Sequence, residues 1–159
     1  MKVRALARLV RSRLSQLPAT GAVLVVATLV EVGLRTMSLP RLAALAGTPL
    51  QLEDPESSAV KFEPAPDDVF ELPPRARRQL AATRRVLRHW PFGDTCLRQA
   101  LISGQRLRRF QPRLQVGVAK LNGEVRAHAW LLIHGRILDP MGVAVAYLPL
   151  NSIPTGLKR

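Results

Sequence analysis

The chain between residues 113 and 133 constrains the fold more than any other stretch, because it has the pattern of two strands joined by a tight turn. In "RLQVGVAK" apolar residues alternate with their neighbours, which is the two-residue period of a half-buried strand. Asn122-Gly123 follows, and this dipeptide favours the positive φ angles of a two-residue hairpin turn. The alternation resumes over about 124–133 in "EVRAHAWLLI". The sequence therefore predicts an antiparallel hairpin here.

Segments on both sides of this hairpin complete one arrangement. Downstream, His134-Gly135 predicts a second turn, after which "RILDP" begins a third strand. Upstream, "CLRQALISGQRLRRF" predicts a helix whose apolar face consists of Leu97, Ala100, Leu101 and Leu107. The order helix, strand, strand, strand predicts an α+β fold in which the helix packs on one face of an antiparallel sheet.

Composition divides the chain into three sections. Residues 1–47 form an apolar and basic helical section, with an amphipathic helix predicted over 2–17 and a short helix, "LPRLAALAG", that ends at Gly47. Residues 48–74 are rich in proline and acidic residues and predict a linker or a surface arm. Residues 75–159 hold the strands and begin with a helix, "RARRQLAATRRVLRHW", so we expect them to form the folded α+β domain.

The N-terminal section imitates a secretion signal, since a basic start is followed by the apolar run "GAVLVVATLVEVGL". Glu31 interrupts that run, and its apolar core is shorter than the roughly 20 residues that a spanning helix needs. These helices are therefore expected either in the core or at a membrane surface. A single cysteine cannot form an internal disulfide, and it fits a reducing cytoplasmic location.

The charge of the chain restricts its partners only loosely. Lys and Arg number 24 against 11 Asp and Glu, a formal charge of +13, which favours an acidic or carbonyl-rich partner. Aromatic residues are 4% of the chain and do not interleave with the basic ones, so no nucleic-acid partner is expected. No Cys/His cluster offers a metal site, and we expect neither a metal nor a cofactor.

Cys96, the only cysteine, stands where the helix after "FGDT" begins. Asp94 or Thr95 can cap that helix, which places the thiol in the first turn, where free backbone N–H groups and the helix dipole favour a thiolate. The same N–H groups could hold an oxyanion. The alternative is that Cys96 is a small buried apolar residue.

His128 and Asp139 are candidate partners for this thiol. His128 lies mid-strand in "AHAW"; if the Cys96 helix packs on its face, the imidazole can act as the general base. The turn at His134 brings Asp139 level with it, as the acid that orients a histidine. Each has a structural alternative: a histidine bonded to backbone, and a turn-forming aspartate before proline. The other two histidines, His89 and His134, are expected to be structural.

Taken together, "DTCLRQAL", "RLQVGVAK" and "AHAWLLIHGRILD" resemble the transglutaminase-like leader peptidases of lasso-peptide biosynthesis, the microcin-processing type. The likeness covers about residues 75–150 and extends loosely over the N-terminal helices. Arg98, Gln99 and Ala100 depart from the "CLxRSL" of many relatives, and Leu131 stands where valine is usual. The resemblance implies that residues 75–159 are a catalytic domain with a transglutaminase-like/papain-like core. In it Cys96 would be the nucleophile, His128 the base and Asp139 the orienting acid.

The resemblance also implies partners. A peptidase of this family removes the leader of a ribosomally made precursor peptide and frees the amine of the core peptide. A separate asparagine-synthetase-like cyclase then closes the ring. Residues 1–74 do not read as a leader-binding module, so a separate leader-binding protein is expected. Arg106, Arg108 and Arg109 are candidates to contact an acidic leader or that protein. The alternatives are a transglutaminase-like amidase or transferase, and a basic binding protein without catalytic activity.

Overall fold

A computed structural model describes residues 19–51 and 72–150 of the chain. It contains four helices, which are α1 (Ala19–Thr36), α2 (Leu39–Ala46), α3 (Pro74–Leu87) and α4 (Cys96–Arg106). The strands are β1 (Arg113–Leu121), β2 (Glu124–Ile133), β3 (Arg136–Leu138) and β4 (Leu148–Pro149). The helix predicted over 2–17 and most of the acidic arm lie outside the described residues.

The four strands form one antiparallel sheet in the order β3-β2-β1-β4. The hairpin is confirmed: Asn122 and Gly123 have φ of 52° and 85°, the positive values expected for its turn. The β2–β3 turn has the same character, with φ of 51° at His134 and 76° at Gly135. The α+β prediction is therefore confirmed, with β4 as a strand that the sequence pattern did not reveal.

Local signals account for the ends of the shorter helices. α2 has proline in its first turn and ends at Gly47, whose left-handed φ of 76° lets backbone N–H groups bond back to the carbonyls of Ala43 and Ala44. α3 begins at Pro74, where the missing N–H costs nothing because the first turn leaves its donors unpaired in any case. Both predicted helices are confirmed.

The main hydrophobic core lies between the helices and one face of the sheet. Its members come from α1, α2, α3, α4, β1 and β2, and they include Val23, Val26, Leu42, Leu87, Leu101, Ile102, Leu114, Ala129 and Leu131. α1 and α4 thus share one core, although the arm separates them in sequence. At about 0.8 kcal/mol per buried CH₂ group, this shared core is the main source of stability.

The core also shows which face of β2 carries α4. Leu131 Cδ2 would lie 3.2 Å from a Cβ added to Gly104 of α4, so glycine permits this close approach of helix and strand. Ala129 and Leu131 point to the same face of β2, whereas His128 and Trp130 point to the other. The body of α4 therefore packs opposite the His128 face, which differs from the arrangement considered above.

None of the helices in residues 19–51 and 72–150 is long and apolar enough to cross a membrane.

Candidate active site

The thiol of Cys96 lies at the first residue of α4 and is half-buried. Thr95 is the cap, since its backbone is extended and its hydroxyl accepts a hydrogen bond from the N–H of Arg98 at 3.4 Å. Asp94 instead accepts a 2.7 Å hydrogen bond from the side chain of Gln99. Of the two capping residues that the sequence allowed, the structure selects Thr95, and Cys96 follows it directly.

His128 and Asp139 are brought together as predicted. Nε2 of His128 lies 3.0 Å from Oδ2 of Asp139, and the two side chains are 4% and 3% exposed. The pairing of Leu131 with Leu138 sets this geometry, because it carries the end of β3 alongside the middle of β2. The contact therefore depends on the tight turn between these strands.

Backbone donors surround the Asp139 carboxylate. The N–H of Met141 donates to Oδ1 at 2.9 Å, while those of Val143 and Ala144 donate to Oδ2 at 2.7 and 2.8 Å. Burial alone would raise the pKa of Asp139, but the hydrogen bonds from Met141, His128, Ala144 and Val143 outweigh it. The pKa of this carboxyl consequently lies below its usual range, and Asp139 is ionised at neutral pH.

Aromatic rings hold the imidazole of His128. Its ring centroid lies 5.8 Å from that of Trp130 in a stacked arrangement and 5.0 Å from that of Tyr147. Trp130 fits because Gly117, the partner of His128 on β1, has no side chain: an added Cβ would lie 2.5 Å from the indole. Together, these rings and Asp139 restrict how the imidazole can turn.

The proton of the imidazole follows from its partner. An ionised carboxylate only accepts hydrogen bonds, so Nε2 of His128 carries the proton and donates a hydrogen bond to Asp139. Nδ1 is then the nitrogen with a free lone pair, the one that can accept a proton. This is the geometry in which a histidine can act as a general base, with an ionised carboxylate placed to stabilise an imidazolium.

Cys96 is the third candidate, and its pairing with His128 stays a prediction. The thiol packs against the main core, as does Leu138, the residue before Asp139. In the described chain no hydrogen bond joins the thiol to His128. The arrangement that the structure holds is a histidine–aspartate pair and a capped helix start, on elements that pack together. The exposed His89 and His134 take no part in it.

Sequence reasoning missed an ion pair next to the helix start. Arg98 donates from Nε and Nη2 to the two carboxylate oxygens of Glu31 at 2.9 and 3.3 Å. In the sequence, Glu31 stands out only as an interruption of an apolar run. An acidic residue at such a position predicts a buried partner, because an isolated charge is costly to bury, but nothing in the sequence indicates which arginine it meets.

Comparison with known proteins gives a family. The model of the transglutaminase-like superfamily matches residues 22–152, a range that includes most of α1 as well as all four strands. No curated protein and no solved structure gives a significant match.

Proposed function

Because the chain belongs to the transglutaminase-like superfamily, we propose that it is a cysteine peptidase that removes the leader from a lasso-peptide precursor. The observation that supports it most is the buried contact between His128 and an ionised Asp139. The family includes both peptidases and acyl-transferases, so the choice between them is part of the proposal. The lasso-peptide substrate rests on the resemblance of the "DTCL" and "AHAW" segments.

The reaction would proceed in two steps, formation of a thioester on Cys96 and hydrolysis of that thioester. Nδ1 of His128 takes the thiol proton of Cys96, and the thiolate attacks the scissile carbonyl. N–H groups at the start of α4 stabilise the oxyanion, and His128 returns the proton to the leaving amine, which departs as the free core peptide. Water, deprotonated by His128, then attacks the thioester and releases the leader with a terminal carboxylate while the thiol is restored.

Exposed apolar side chains near the proposed site support a peptide substrate. The segment after Asp139 exposes Met141, Val143, Val145, Leu148 and Leu150, with Val145 83% exposed. The same segment supplies the three N–H groups that bind Asp139 and the Tyr147 ring that contacts His128. Apolar groups exposed together mark contact surfaces, and an extended peptide can place apolar side chains on such a surface.

Mutation of the nucleophile tests the enzymatic proposal. The substrate would be a short precursor peptide found encoded beside the gene for this chain, assayed together with a leader-binding protein where the same neighbourhood encodes one. Cys96→Ala and His128→Ala are each expected to reduce cleavage by on the order of 10⁴-fold or more. His89→Ala and His134→Ala serve as matched controls and should leave the rate within about twofold, since both side chains are exposed.

Product masses separate the alternatives. A peptidase gives a leader ending in a carboxylate and an intact core peptide, and an added amine is not incorporated. Incorporation of the amine would instead show a transferase, and release of ammonia without chain cleavage would show an amidase. Full activity of Cys96→Ala would contradict all three. The leader-binding protein, the cyclase, contact with a membrane surface and the cytoplasmic location remain predictions.

A further inference from the structure

Glu31 and Arg98 form a fork-like ion pair between α1 and α4. The two carboxylate oxygens of Glu31 accept from two different nitrogens of the guanidinium, at 2.9 and 3.3 Å. The side chains are 8% and 17% exposed, so solvent screens this pair little. Two-pronged contacts of this kind fix orientation as well as distance, which a single point charge does not.

Arg98 extends this contact to the residue before Cys96. Its Nη1 donates to the hydroxyl of Thr95 at 3.3 Å, and its backbone N–H donates to the same oxygen at 3.4 Å. Thr95 is the cap of α4. One arginine side chain therefore connects a carboxylate on α1 to the cap of the helix that begins at Cys96.

Glu31 is ionised at neutral pH. The hydrogen bond from Arg98 lowers the pKa of Glu31; burial opposes this, and the charges of Arg98 and Arg35 add to the lowering. Arg35 also contacts Glu31, at 3.2 Å, but its side chain is 61% exposed. A pair this exposed contributes little, so Arg98 is the partner through which Glu31 acts.

We propose that Glu31 is a positioning residue for the chemistry at Cys96, acting through Arg98 and Thr95 to hold the first turn of α4 in place. This inference rests on the proposed function, because it assigns a role in turnover. Displacement of a reacting group by about 1 Å can cost on the order of 100-fold in rate. The ion pair holds the cap against α1, which is itself fixed in the core by Val23, Val26 and Val30.

The first test is Glu31→Gln, which keeps the shape of the side chain and removes its charge. The kcat of precursor cleavage is expected to fall about tenfold to 100-fold with KM within about twofold, because substrate contacts are unchanged while the helix start is loosened. The matched control is Arg35→Gln, which removes the exposed partner of the same carboxylate. It should leave kcat within about twofold.

A second variant keeps the charges and changes only the geometry. Arg98→Lys retains a cation but cannot reach both carboxylate oxygens and the Thr95 hydroxyl together. The readout is the rate at which iodoacetamide alkylates Cys96 at pH 7, which needs no peptide substrate. We expect a decrease of about fivefold, because a loosened first turn presents fewer ordered N–H groups to the thiolate.

A double variant tests whether the two residues act as one unit. If Glu31 works through Arg98, adding Glu31→Gln to Arg98→Gln should reduce kcat no further than Arg98→Gln alone. Independent, multiplying losses would overturn the proposal. A lowered melting temperature with kcat and the alkylation rate at wild-type values would also overturn it, since that result describes a purely structural pair.

The outcomes keep this inference separate from the proposed function. If the wild-type chain cleaves no precursor, the proposed function fails, and the alkylation rates of Arg98→Lys and Arg35→Gln still decide whether the ion pair positions the thiol. If Glu31→Gln does not fold, Arg98→Lys and its alkylation rate decide the matter. An unchanged alkylation rate in a folded Arg98→Lys variant would contradict the proposal in either case.

Discussion

Asp139 combines two tasks in one carboxylate. It accepts a hydrogen bond from the protonated nitrogen of His128. It also accepts hydrogen bonds from three backbone N–H groups of the segment that follows it. The turn-forming role and the orienting role, which the sequence presented as alternatives, are therefore compatible. The hydrogen bonds that close the turn also keep the carboxylate ionised, the state that a histidine donor requires.

Asp139→Asn should separate charge from shape at this residue. The amide NH₂ cannot accept, so it must either face a backbone donor or leave His128 in the wrong tautomer. We expect kcat to fall on the order of 10³-fold to 10⁴-fold, measured by precursor cleavage. Glu124→Gln, an exposed carboxyl of the same sheet, is the control and should retain activity.

Asp139→Asn should also change how the free energy of unfolding depends on pH. Because the pKa of Asp139 is lowered on folding, its ionised form stabilises the folded state above the ordinary carboxyl pKa of about 3.9, and this stability is lost as pH falls through the lowered pKa. The free energy of unfolding of wild type should exceed that of Asp139→Asn at pH 7, and the difference should shrink below about pH 4. Urea unfolding at several pH values measures it; a difference independent of pH would contradict this assignment.

Residue contacts could be predicted from the sequence only where they are local. His128 and Asp139 are 11 residues apart across a two-residue turn, so the register follows from His134-Gly135. Glu31 and Arg98 are 67 residues apart, and their meeting depends on how α1 packs against α4. No local pattern encodes that packing.

At the scale of elements, β1 must leave room for the indole of β2. Gly117 sits opposite His128, and an added Cβ would lie 2.5 Å from the ring of Trp130 and 2.7 Å from the carbonyl oxygen of Leu148. The carbonyl belongs to β4, so the glycine serves two neighbouring strands at once. The turn at Asn122-Gly123 sets the register that pairs this position with His128, but the lack of space there emerges only from the packed sheet.

Gly117→Ala is therefore expected to destabilise the fold by about 1–3 kcal/mol, the usual cost of overpacking a filled site. The measurement is the free energy of unfolding in urea, with near-ultraviolet circular dichroism to follow the Trp130 environment. Lys120→Ala, at an exposed position of the same strand, should change stability by about 0.5 kcal/mol or less. Equal stability of the two variants would show that the Trp130 indole can adopt another position and relieve the overlap.

The packing of α4 could be predicted only in part. The predicted apolar face of α4 is confirmed, since Ala100 and Leu101 are in the core. The apolar pattern of the helix does not determine which face of the sheet it packs on. Both faces of β2 are apolar near its end: Leu131 and Ile133 lie on one, and Trp130 and Leu132 on the other. In the folded chain Gly104 of α4 lies against the side chains of Thr48 and Leu131, which places the helix on the Leu131 face.

At the scale of the whole molecule, the excess positive charge includes a guanidinium in an unusual setting. Burial, followed by the neighbouring charge of Arg108, holds the pKa of Arg106 below its usual range. Within the described residues, its buried Nε has no hydrogen-bond partner. Such a group favours an incoming anion, which is the physical basis for expecting an acidic leader or partner near Arg106, Arg108 and Arg109.

Neutralising these three arginines together to glutamine tests that expectation. The dissociation constant for the leader peptide, measured by fluorescence anisotropy at low salt with the leader-binding protein present, should rise about fivefold to tenfold, since partly exposed pairs contribute a few tenths to 1 kcal/mol each. The control is the triple variant of Arg75, Arg77 and Arg78, exposed on α3, which makes the same change in net charge. Unchanged leader binding in the first variant would end the hypothesis.

The two outer strands of the sheet have a practical consequence for handling the protein. In the described chain β3 is three residues long and β4 two, and β4 ends in Pro149, which has no N–H to offer a neighbouring molecule. Brief outer strands of this kind give another chain little backbone to pair with. β3 nevertheless pairs only with Leu131, Leu132 and Ile133, so within the described residues the rest of β2 has no strand neighbour on that side, and any growth of the sheet by further copies in concentrated preparations is expected at that edge.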